Sequence, residues 1–177
     1  NTLVLKDEAP CADSTDLYSG AQLNEAELVS LLDYLNRLHS IERETLEPDI
    51  LDNLEMRRLN HEHCFIFPLN PPPGFSLESF GNGLDTIAHH FRGNGSLARA
   101  VHELGALYLL KGKYLVHGDF YPGSWLRTKH SLKIIDLEFA HWCQPEWDLG
   151  VLYAHLLMAH QKLDLRLVIE KYYHPRP

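Results

Sequence analysis

The stretch YLVHGDFYPGSWLRTKHSLKIIDLEFA, Tyr114–Ala140, sets polar residues into apolar surroundings, and the interpretation of the whole chain depends on it. Short runs rich in β-branched and aromatic residues, separated by glycine, proline and polar residues, are typical of strands. The predicted strands are 114–117, 125–128 and 132–136, and the predicted turn is 129–131. We therefore interpret 114–140 as a small β-hairpin.

Three carboxylates stand at the two ends of this hairpin. Asp119 follows His117 and Gly118 at its mouth, and Asp136 and Glu138 lie at its exit. Unpaired carboxylates beside apolar side chains are strongly disfavoured, so a cation is expected to accompany them. If the strand stays extended, Asp136 and Glu138 project toward the same side and can hold Mg²⁺ through their oxygens.

Two further features complete the predicted site. The hydroxyl of Ser124, on the opposing strand, is a candidate third metal ligand. Asp119, held between a glycine and a turn, would orient or deprotonate an attacking hydroxyl while the metal spreads the charge on the transferred group. This division of labour is typical of phosphoryl transfer, in which positioning and electrostatics provide most of the catalysis.

The rest of the chain has mainly helical patterns. Residues 7–22 have the composition of a loop, and Asn24 with Glu27 then forms a capping-box signature before a helix that continues to about Ser40. Further helices are predicted at 48–59, 84–91, 96–110, from 145 onward and at 164–173. We therefore expect an α+β fold, mainly helical, around one small hairpin.

Composition excludes several classes of protein. The 177 residues, 45% hydrophobic and 23% charged, suit one globular domain. Sixteen basic against 24 acidic side chains give a net charge of −8 without a basic stripe, which argues against nucleic acid as a partner. No run approaches the roughly 20 apolar residues of a membrane span. Three cysteines far apart without a C-x-x-C pair predict reduced thiols in a cytoplasmic protein.

Other metal sites remain open at this point. A metal-dependent hydrolase is an alternative, although the chain has no H-E-x-x-H motif; its ligands would be His117, Asp119, Asp136 and His141. Three common zinc ligands also stand close together at His61, His63 and Cys64. They lack a second pair at zinc spacing, so a structural histidine pair is the simpler interpretation. Trp142, next to the acids of the hairpin, is a candidate for stacking on a ligand.

Three motifs together, VHGDFYPGS, IIDLE and WDLG, resemble those of the aminoglycoside phosphotransferase and choline kinase family, which has a protein-kinase-like fold. Within that family they are most similar to the 5-methylthioribose kinase-like phosphotransferases, where a Ser can replace the Asn of H-G-D-x-x-x-x-N. The resemblance implies a kinase that uses ATP and Mg²⁺. Such a kinase transfers the γ-phosphoryl group to a hydroxyl of a small molecule, a sugar or an aminoglycoside-like alcohol.

The resemblance also implies a role for each matching residue. Asp119 would be the catalytic residue, and Asp148 would pin the catalytic loop by hydrogen bonds, with His117 as a second structural support. The metal ligands would be Ser124, Asp136 and Glu138. The residues implied to contact the nucleotide are Leu5, Lys6, Leu126 and Ile135.

The same resemblance divides the chain into two parts. Residues 1–10 are similar to the hinge strand between the lobes of a kinase, and 11–177 to the carboxyl-terminal lobe, with the catalytic hairpin at 114–140. No glycine-rich loop and no strand lysine of the V-A-I-K kind precede the hinge-like strand, so the amino-terminal lobe is expected to lie outside this chain. This fragment alone is then expected to bind nucleotide poorly. A kinase-like lobe that binds or acts as a scaffold without catalysis is the alternative.

Overall fold

A computed structural model describes residues 10–45, 51–162 and 165–173. Within these ranges the α-helices are α1 Glu25–Leu38, α2 Leu54–His61, α3 Leu84–Arg92, α4 Gly95–Leu109, α5 Glu146–Met158 and α6 Leu165–Tyr173. The strands are β1 Cys11–Asp13, β2 Tyr114–Val116, β3 Trp125–Thr128, β4 Leu132–Ile134 and β5 His141–Cys143. The predicted α+β fold, mainly helical, is confirmed. None of the described helices is long and apolar enough to cross a lipid bilayer.

The strands form two small antiparallel sheets rather than one hairpin over 114–140. The first sheet has the order β1-β3-β4, and β3 and β4 form a hairpin in which Trp125 pairs with Ile134. The second sheet joins β2 to β5, with Leu115 opposite Trp142. The strands predicted at 114–117 and 125–128 are present as β2 and β3, but the return strand predicted at 132–136 ends at Ile134, and β1 and β5 were not predicted. The pairing of β2 with a strand beyond the hairpin has no local turn signal in the sequence.

The loop predicted at 7–22 contains regular structure in its described part. Strand β1 pairs with β3, with Asp13 opposite Leu126, and a 3₁₀ helix follows at Thr15–Ser19. The N–H of Ser14 donates to the carbonyl of Pro122 at 3.0 Å, and its hydroxyl donates to the carbonyl of Trp125 at 2.9 Å. Long-range pairing therefore orders a segment whose composition alone is typical of a loop.

Helix α1 supports the first sheet. Its capping box is present as predicted, because the N–H of Glu27 donates to Asn24 Oδ1 at 2.9 Å and Glu27 Oε2 accepts from the N–H of Asn24 at 3.0 Å. The leucines of one face are buried: Leu28, Leu31, Leu32, Leu35 and Leu38. Most of them share a core with Phe120 and Trp125, and each such side chain contributes about 1.5–3 kcal/mol by leaving water. This core fixes the first sheet to α1.

The second predicted helix begins later than the sequence pattern indicates. It was expected at 48–59 with Leu51, Leu54 and Leu59 buried, but α2 starts at Leu54 and these three side chains are exposed. Leu51 and Asn53 have φ values of 59° and 44°, in the left-handed region, which ends any helical path before Leu54. Residues 46–50 lie outside the described ranges.

The buried side chain of α2 is an arginine. Arg57 is buried, and its guanidinium donates to the carbonyls of Tyr108, Leu109 and Leu110 at 3.2, 2.7 and 3.1 Å. The last carbonyls of a helix have no partner within the helix, and a cation also suits the negative end of its dipole. Arg57 therefore fastens α2 to the carboxyl end of α4.

Helix α4 starts one residue earlier than expected. The helix begins at Gly95 instead of at residue 96, its N-cap is Asn94, and Asn94 Oδ1 accepts from the N–H of Leu97 at 3.1 Å. The Ser96 hydroxyl donates to the same Asn94 oxygen at 2.7 Å. Asn94 and Ser96, two residues apart, are both common N-cap types, so the sequence alone does not decide between them.

Candidate active site

Asp148, in the first turn of α5, fixes the main chain of the His-Gly-Asp loop. Its carboxylate is fully buried and accepts from the N–H groups of His117 and Gly118 at 2.7 and 3.0 Å. The Nε2 of His39 lies 2.9 Å from the same carboxylate. A buried carboxylate is tolerated only when such donors surround it, and the amino end of α5 adds a favourable dipole. The backbone at 117–118 is thereby held in place.

Gly118 adopts a conformation that other residues avoid. Its φ is +89°, and a Cβ built on it would lie 2.2 Å from the carbonyl oxygen of Phe139. Its own carbonyl accepts from Trp147 Nε1 at 2.9 Å and from Asn60 Nδ2 at 3.3 Å. Both the N–H and the C=O of Gly118 are therefore fixed, immediately before Asp119.

His117 connects this loop to the segment that carries the other acids. It is fully buried, and its Nε2 lies 2.9 Å from the carbonyl oxygen of Ile135. Because a carbonyl only accepts, we assign the proton to Nε2, which leaves Nδ1 to accept from the N–H of Asp119 at 3.4 Å. These contacts agree with the structural role that the family resemblance implies for His117.

Asp119 is a half-buried carboxylate in an acidic neighbourhood. Burial raises its pKa, the neighbouring His117 opposes this, and the negative charges of Asp136, Glu138 and Asp148 raise the pKa further. The exit acids are therefore close enough to act on Asp119 electrostatically. A cation at this point would relieve the repulsion among them.

Asp136 and Glu138 reach the site by a different path from the one expected. Strand β4 ends at Ile134, Asp136 has a left-handed φ of 69°, and Glu138 lies in a 3₁₀ turn at Leu137–Phe139. The premise of an extended strand between the two acids is therefore wrong. Both side chains are exposed to solvent.

The segment that carries these acids is fixed on two sides. The N–H of Ile135 donates to the carbonyl of Ser124 at 3.0 Å. Asn53 Nδ2 donates to the carbonyls of Glu138 and Ala140 at 2.6 and 3.0 Å. Asn53 tolerates its left-handed backbone better than most residues, and its amide supports the turn that presents Glu138.

Ser124 lies in a 3₁₀ turn at Pro122–Ser124, before β3, and not on the opposing strand as expected. It is fully buried, and its hydroxyl donates to the carbonyl of Asp119 at 3.0 Å. In this structure the Ser124 hydroxyl closes the loop that carries Asp119. Its assignment as a metal ligand stays a prediction.

The two exit acids have the chemistry that Mg²⁺ requires. Mg²⁺ prefers hard oxygen ligands and commonly takes few carboxylates, completing its shell with water and phosphate oxygens. Asp136 and Glu138 provide two exposed carboxylates beside a third acid, Asp119, whose pKa they raise. The chemistry of these two residues suits Mg²⁺, but the described residues hold no group of three or more His, Cys, Asp or Glu side chains arranged for a metal, so their assignment as ligands stays a prediction.

The ligands expected for the alternative metal sites are not brought together either. The described residues contain no group of three or more His, Cys, Asp or Glu side chains arranged to hold a metal. His117 Nε2 and His141 Nδ1 face the carbonyls of Ile135 and Phe139, at 2.9 and 2.8 Å. The ligand set of a metal-dependent hydrolase is therefore not assembled in this part of the chain.

Two of the four nucleotide-binding candidates can be located. Leu126 is half-buried on β3, and Ile135 is 40% exposed just after β4. Leu5 and Lys6 lie outside the described residues, as does the hinge-like strand except for Pro10. Strand β1, which follows the hinge-like segment directly, pairs beside Leu126.

The tryptophans belong to the packing. Trp142, a candidate for ligand stacking, is buried against Leu38, Leu115 and Ala140, so that expectation is wrong. Trp125 is fully buried in the core under α1, as expected. Trp142 lies on β5, and the pairing of β5 with β2 places its side chain in the hydrophobic cluster of the second sheet.

His39 was not singled out as a site residue from the sequence. It is buried at the end of α1, where its Nε2 contacts Asp148 and its Nδ1 lies 2.6 Å from the hydroxyl of Tyr172. The available signal was a histidine directly after the leucine stripe of α1, since a polar residue on a buried face needs partners.

An apolar cavity of about 560 Å³ lies beside the His-Gly-Asp loop. Trp147, which bonds to Gly118, forms one wall. Cys64 forms another, and the pKa of its thiol is raised by burial and further by the charge of Asp119. Glu146 is the one charged residue in its lining within the described chain. The cavity therefore offers an apolar surface that is connected to the His-Gly-Asp loop through Trp147, while none of residues 117–119 lines it.

The family model described as "Phosphotransferase enzyme family" matches residues 10–177. The chain belongs to this family, and the resemblance seen in its motifs is confirmed. The chain is 30% identical over 119 residues to a methylthioribose kinase of Exiguobacterium sibiricum, which covers 67% of the chain and 28% of the relative. It is 29% identical over 117 residues to methylthioribose kinase 1 of Oryza sativa subsp. japonica, covering 64% and 26% respectively.

A third relative, a methylthioribose kinase of Bacillus velezensis, is 35% identical over 79 residues, which are 45% of this chain and 20% of that protein. The chain therefore spans less than a third of the length of these curated relatives.

Proposed function

We propose that residues 11–177 are the carboxyl-terminal lobe of a kinase-like phosphotransferase and that 1–10 form the hinge to a second lobe. The proposed reaction transfers the γ-phosphoryl group of ATP to a hydroxyl of a small acceptor. The observation that carries the proposal is a half-buried Asp119 beside Asp136 and Glu138, on a loop whose main chain Asp148 holds.

Asp119 acts on the acceptor in the proposed mechanism. The acceptor oxygen attacks the γ-phosphorus, the bond from that phosphorus to the ADP oxygen breaks, and the hydroxyl proton passes to the Asp119 carboxylate. Burial raises the pKa of Asp119, which makes this carboxylate a better base than an exposed one. Asp136 and Glu138 would hold Mg²⁺, which supplies positive charge for the phosphate oxygens.

The rigidity of the loop serves this chemistry. Phosphoryl transfer depends on alignment, and a reacting group misplaced by about 1 Å loses roughly a hundredfold in rate. The bonds to both polar groups of Gly118, and from Ser124 to the carbonyl of Asp119, leave the Asp119 backbone little freedom. The loop is therefore preorganised before substrate arrives.

The nucleotide would lie between the hinge and the exit segment. The exposed side chain of Ile135 precedes Asp136 directly, so an adenine ring against Ile135 and Leu126 would bring its phosphates toward the acids. Leu5 and Lys6 would contribute main-chain contacts from the hinge.

The cavity beside the loop favours a sugar that carries an apolar substituent. The cavity lining in the described chain holds one charged residue, Glu146, so this surface suits an apolar group, while the acids of the site lie around Asp119. Three relatives are named methylthioribose kinase, and a thioalkyl sugar combines a hydroxyl for Asp119 with an apolar group for the cavity. We therefore propose a thioribose-like acceptor.

Calorimetric titration of ATP into the full protein, with and without Mg²⁺, tests the metal and nucleotide assignment. We expect Mg²⁺-dependent binding that Asp136→Asn weakens at least tenfold and that the exposed control Glu103→Gln leaves unchanged. Equal binding by the wild type and Asp136→Asn would contradict the assignment.

A further inference from the structure

A chain of buried hydrogen bonds runs from α6 to the His-Gly-Asp loop. The hydroxyl of Tyr172, a buried residue of α6, lies 2.6 Å from His39 Nδ1. His39 Nε2 lies 2.9 Å from Asp148 Oδ2, and Asp148 accepts from the N–H groups of His117 and Gly118. Three elements distant in sequence are thus connected to one loop.

We propose that Tyr172 is a positioning residue for the catalytic loop: its hydroxyl donates to Nδ1 of His39 and so fixes the orientation of the imidazole that donates to Asp148. The inference rests on the proposed function only in that it takes 117–119 as the catalytic loop. Among the described residues Tyr172 contacts neither Asp119 nor the exit acids, so its action passes through His39 and Asp148.

The donor and acceptor roles along this series of hydrogen bonds follow from the chemistry of the groups at its two ends. The Asp148 carboxylate accepts from two main-chain N–H groups and can offer His39 an acceptor only, so Nε2 must carry a proton. A neutral imidazole with its proton on Nε2 has a lone pair on Nδ1. Burial raises the pKa of Tyr172, so its hydroxyl keeps its proton and donates it to Nδ1.

Removing the Tyr172 hydroxyl would weaken the hydrogen bonds at the other end of this series, between Asp148 and the loop. In Tyr172→Phe the buried Nδ1 has no donor, so the imidazole loses the bond that fixes its orientation on the side away from Asp148. Nε2 keeps its proton, because it faces the Asp148 carboxylate, but the ring can tilt and its bond to Asp148 weakens. The N–H groups of His117 and Gly118 would then be held by a less firmly fixed carboxylate.

The neighbouring tyrosine provides a matched control. Tyr173 is 52% exposed, and its hydroxyl donates to Glu146 Oε1 at 3.2 Å. Tyr173→Phe therefore removes an identical group from the same helix and breaks a hydrogen bond that does not lead to Asp148.

The test uses the full protein labelled with ¹⁵N on its histidine rings and backbone. In the wild type we expect long-range ¹H–¹⁵N spectra to show His39 with a protonated Nε2 and an unprotonated Nδ1. In Tyr172→Phe we expect Nε2 to stay protonated, the Nδ1 resonance to shift because that nitrogen loses its donor, and the amides of His117 and Gly118 to exchange about tenfold faster. Tyr173→Phe should resemble the wild type in both respects.

Two results would overturn the inference. One is a wild-type His39 protonated on both nitrogens, because the Tyr172 hydroxyl would then accept a hydrogen bond from Nδ1 rather than donate one. This measurement tests the inference even if Tyr172→Phe does not fold. The other is Tyr172→Phe with unchanged exchange at the two loop amides. Neither measurement needs a substrate, so a protein with the expected signals but no phosphoryl transfer would refute the proposed function alone.

Discussion

Replacing Asp148 by Asn is expected to destabilise the protein severely, although the two side chains have almost the same shape. The carboxylate is fully buried and receives three N–H donors, from His117, Gly118 and His39. An amide offers one oxygen and one NH₂ group in the same space. Whichever way it is turned, at least one of the three donors faces another donor.

The magnitude follows from these contacts. A buried N–H left without an acceptor costs about 1–3 kcal/mol. The remaining bonds lose the charge that roughly doubles the strength of a neutral hydrogen bond. Together these effects lower the free energy of unfolding by about 2–4 kcal/mol, which corresponds to a fall in the melting temperature of about 5–15 °C.

Urea unfolding followed by far-ultraviolet circular dichroism measures this free energy. Glu103→Gln, which also neutralises a carboxylate but on the exposed face of α4, should change it by less than about 0.5 kcal/mol. If Asp148→Asn were as stable as this control, the three hydrogen bonds would not hold the loop as described.

Three further changes test other parts of the structure. Gly118→Ala should lower the free energy of unfolding by at least about 2 kcal/mol, measured by calorimetry, because its φ is +89° and the new Cβ meets the Phe139 carbonyl. Burial lowers the pKa of His141 to about 4, below its value in the unfolded chain. The contribution of His141 to the free energy of unfolding should therefore be fully present above pH 6.5 and be lost as the pH falls from 6.5 to 4. Urea unfolding at several pH values should show this dependence in the wild type and not in His141→Gln. Arg57→Leu removes the donor to three carbonyls at the end of α4 and should lower the free energy of unfolding, measured in urea, by at least about 2 kcal/mol. The control Arg58→Leu, at an exposed position of the same helix, should change it little.

The sequence predicts the local features of this fold well. The capping box of α1 and the β3–β4 hairpin depend on residues close together in the chain, and both are present. The failures depend on distant partners. Nothing near β2 indicates its pairing with β5, and nothing near Arg57 indicates that its guanidinium is buried against the end of α4.

The acids of the site could be named from their motifs, but their surroundings could not. Asp119, Asp136 and Glu138 stand out because carboxylates are rare in apolar segments, and the structure brings them within electrostatic reach. The left-handed turn at Asp136 and the buried hydroxyl of Ser124 are set by contacts with other elements. Short motifs therefore predict the chemistry that we propose for these acids, whereas tertiary packing determines their geometry.

Transfer of labelled phosphate from [γ-³²P]ATP to a thioribose acceptor by the full protein measures the proposed reaction itself. We expect a labelled sugar phosphate from the wild type, with turnover at least about a hundredfold lower in Asp119→Asn and unchanged in Glu103→Gln. Turnover by Asp119→Asn equal to that of the wild type, or no transfer by the wild type to any sugar hydroxyl, would contradict it.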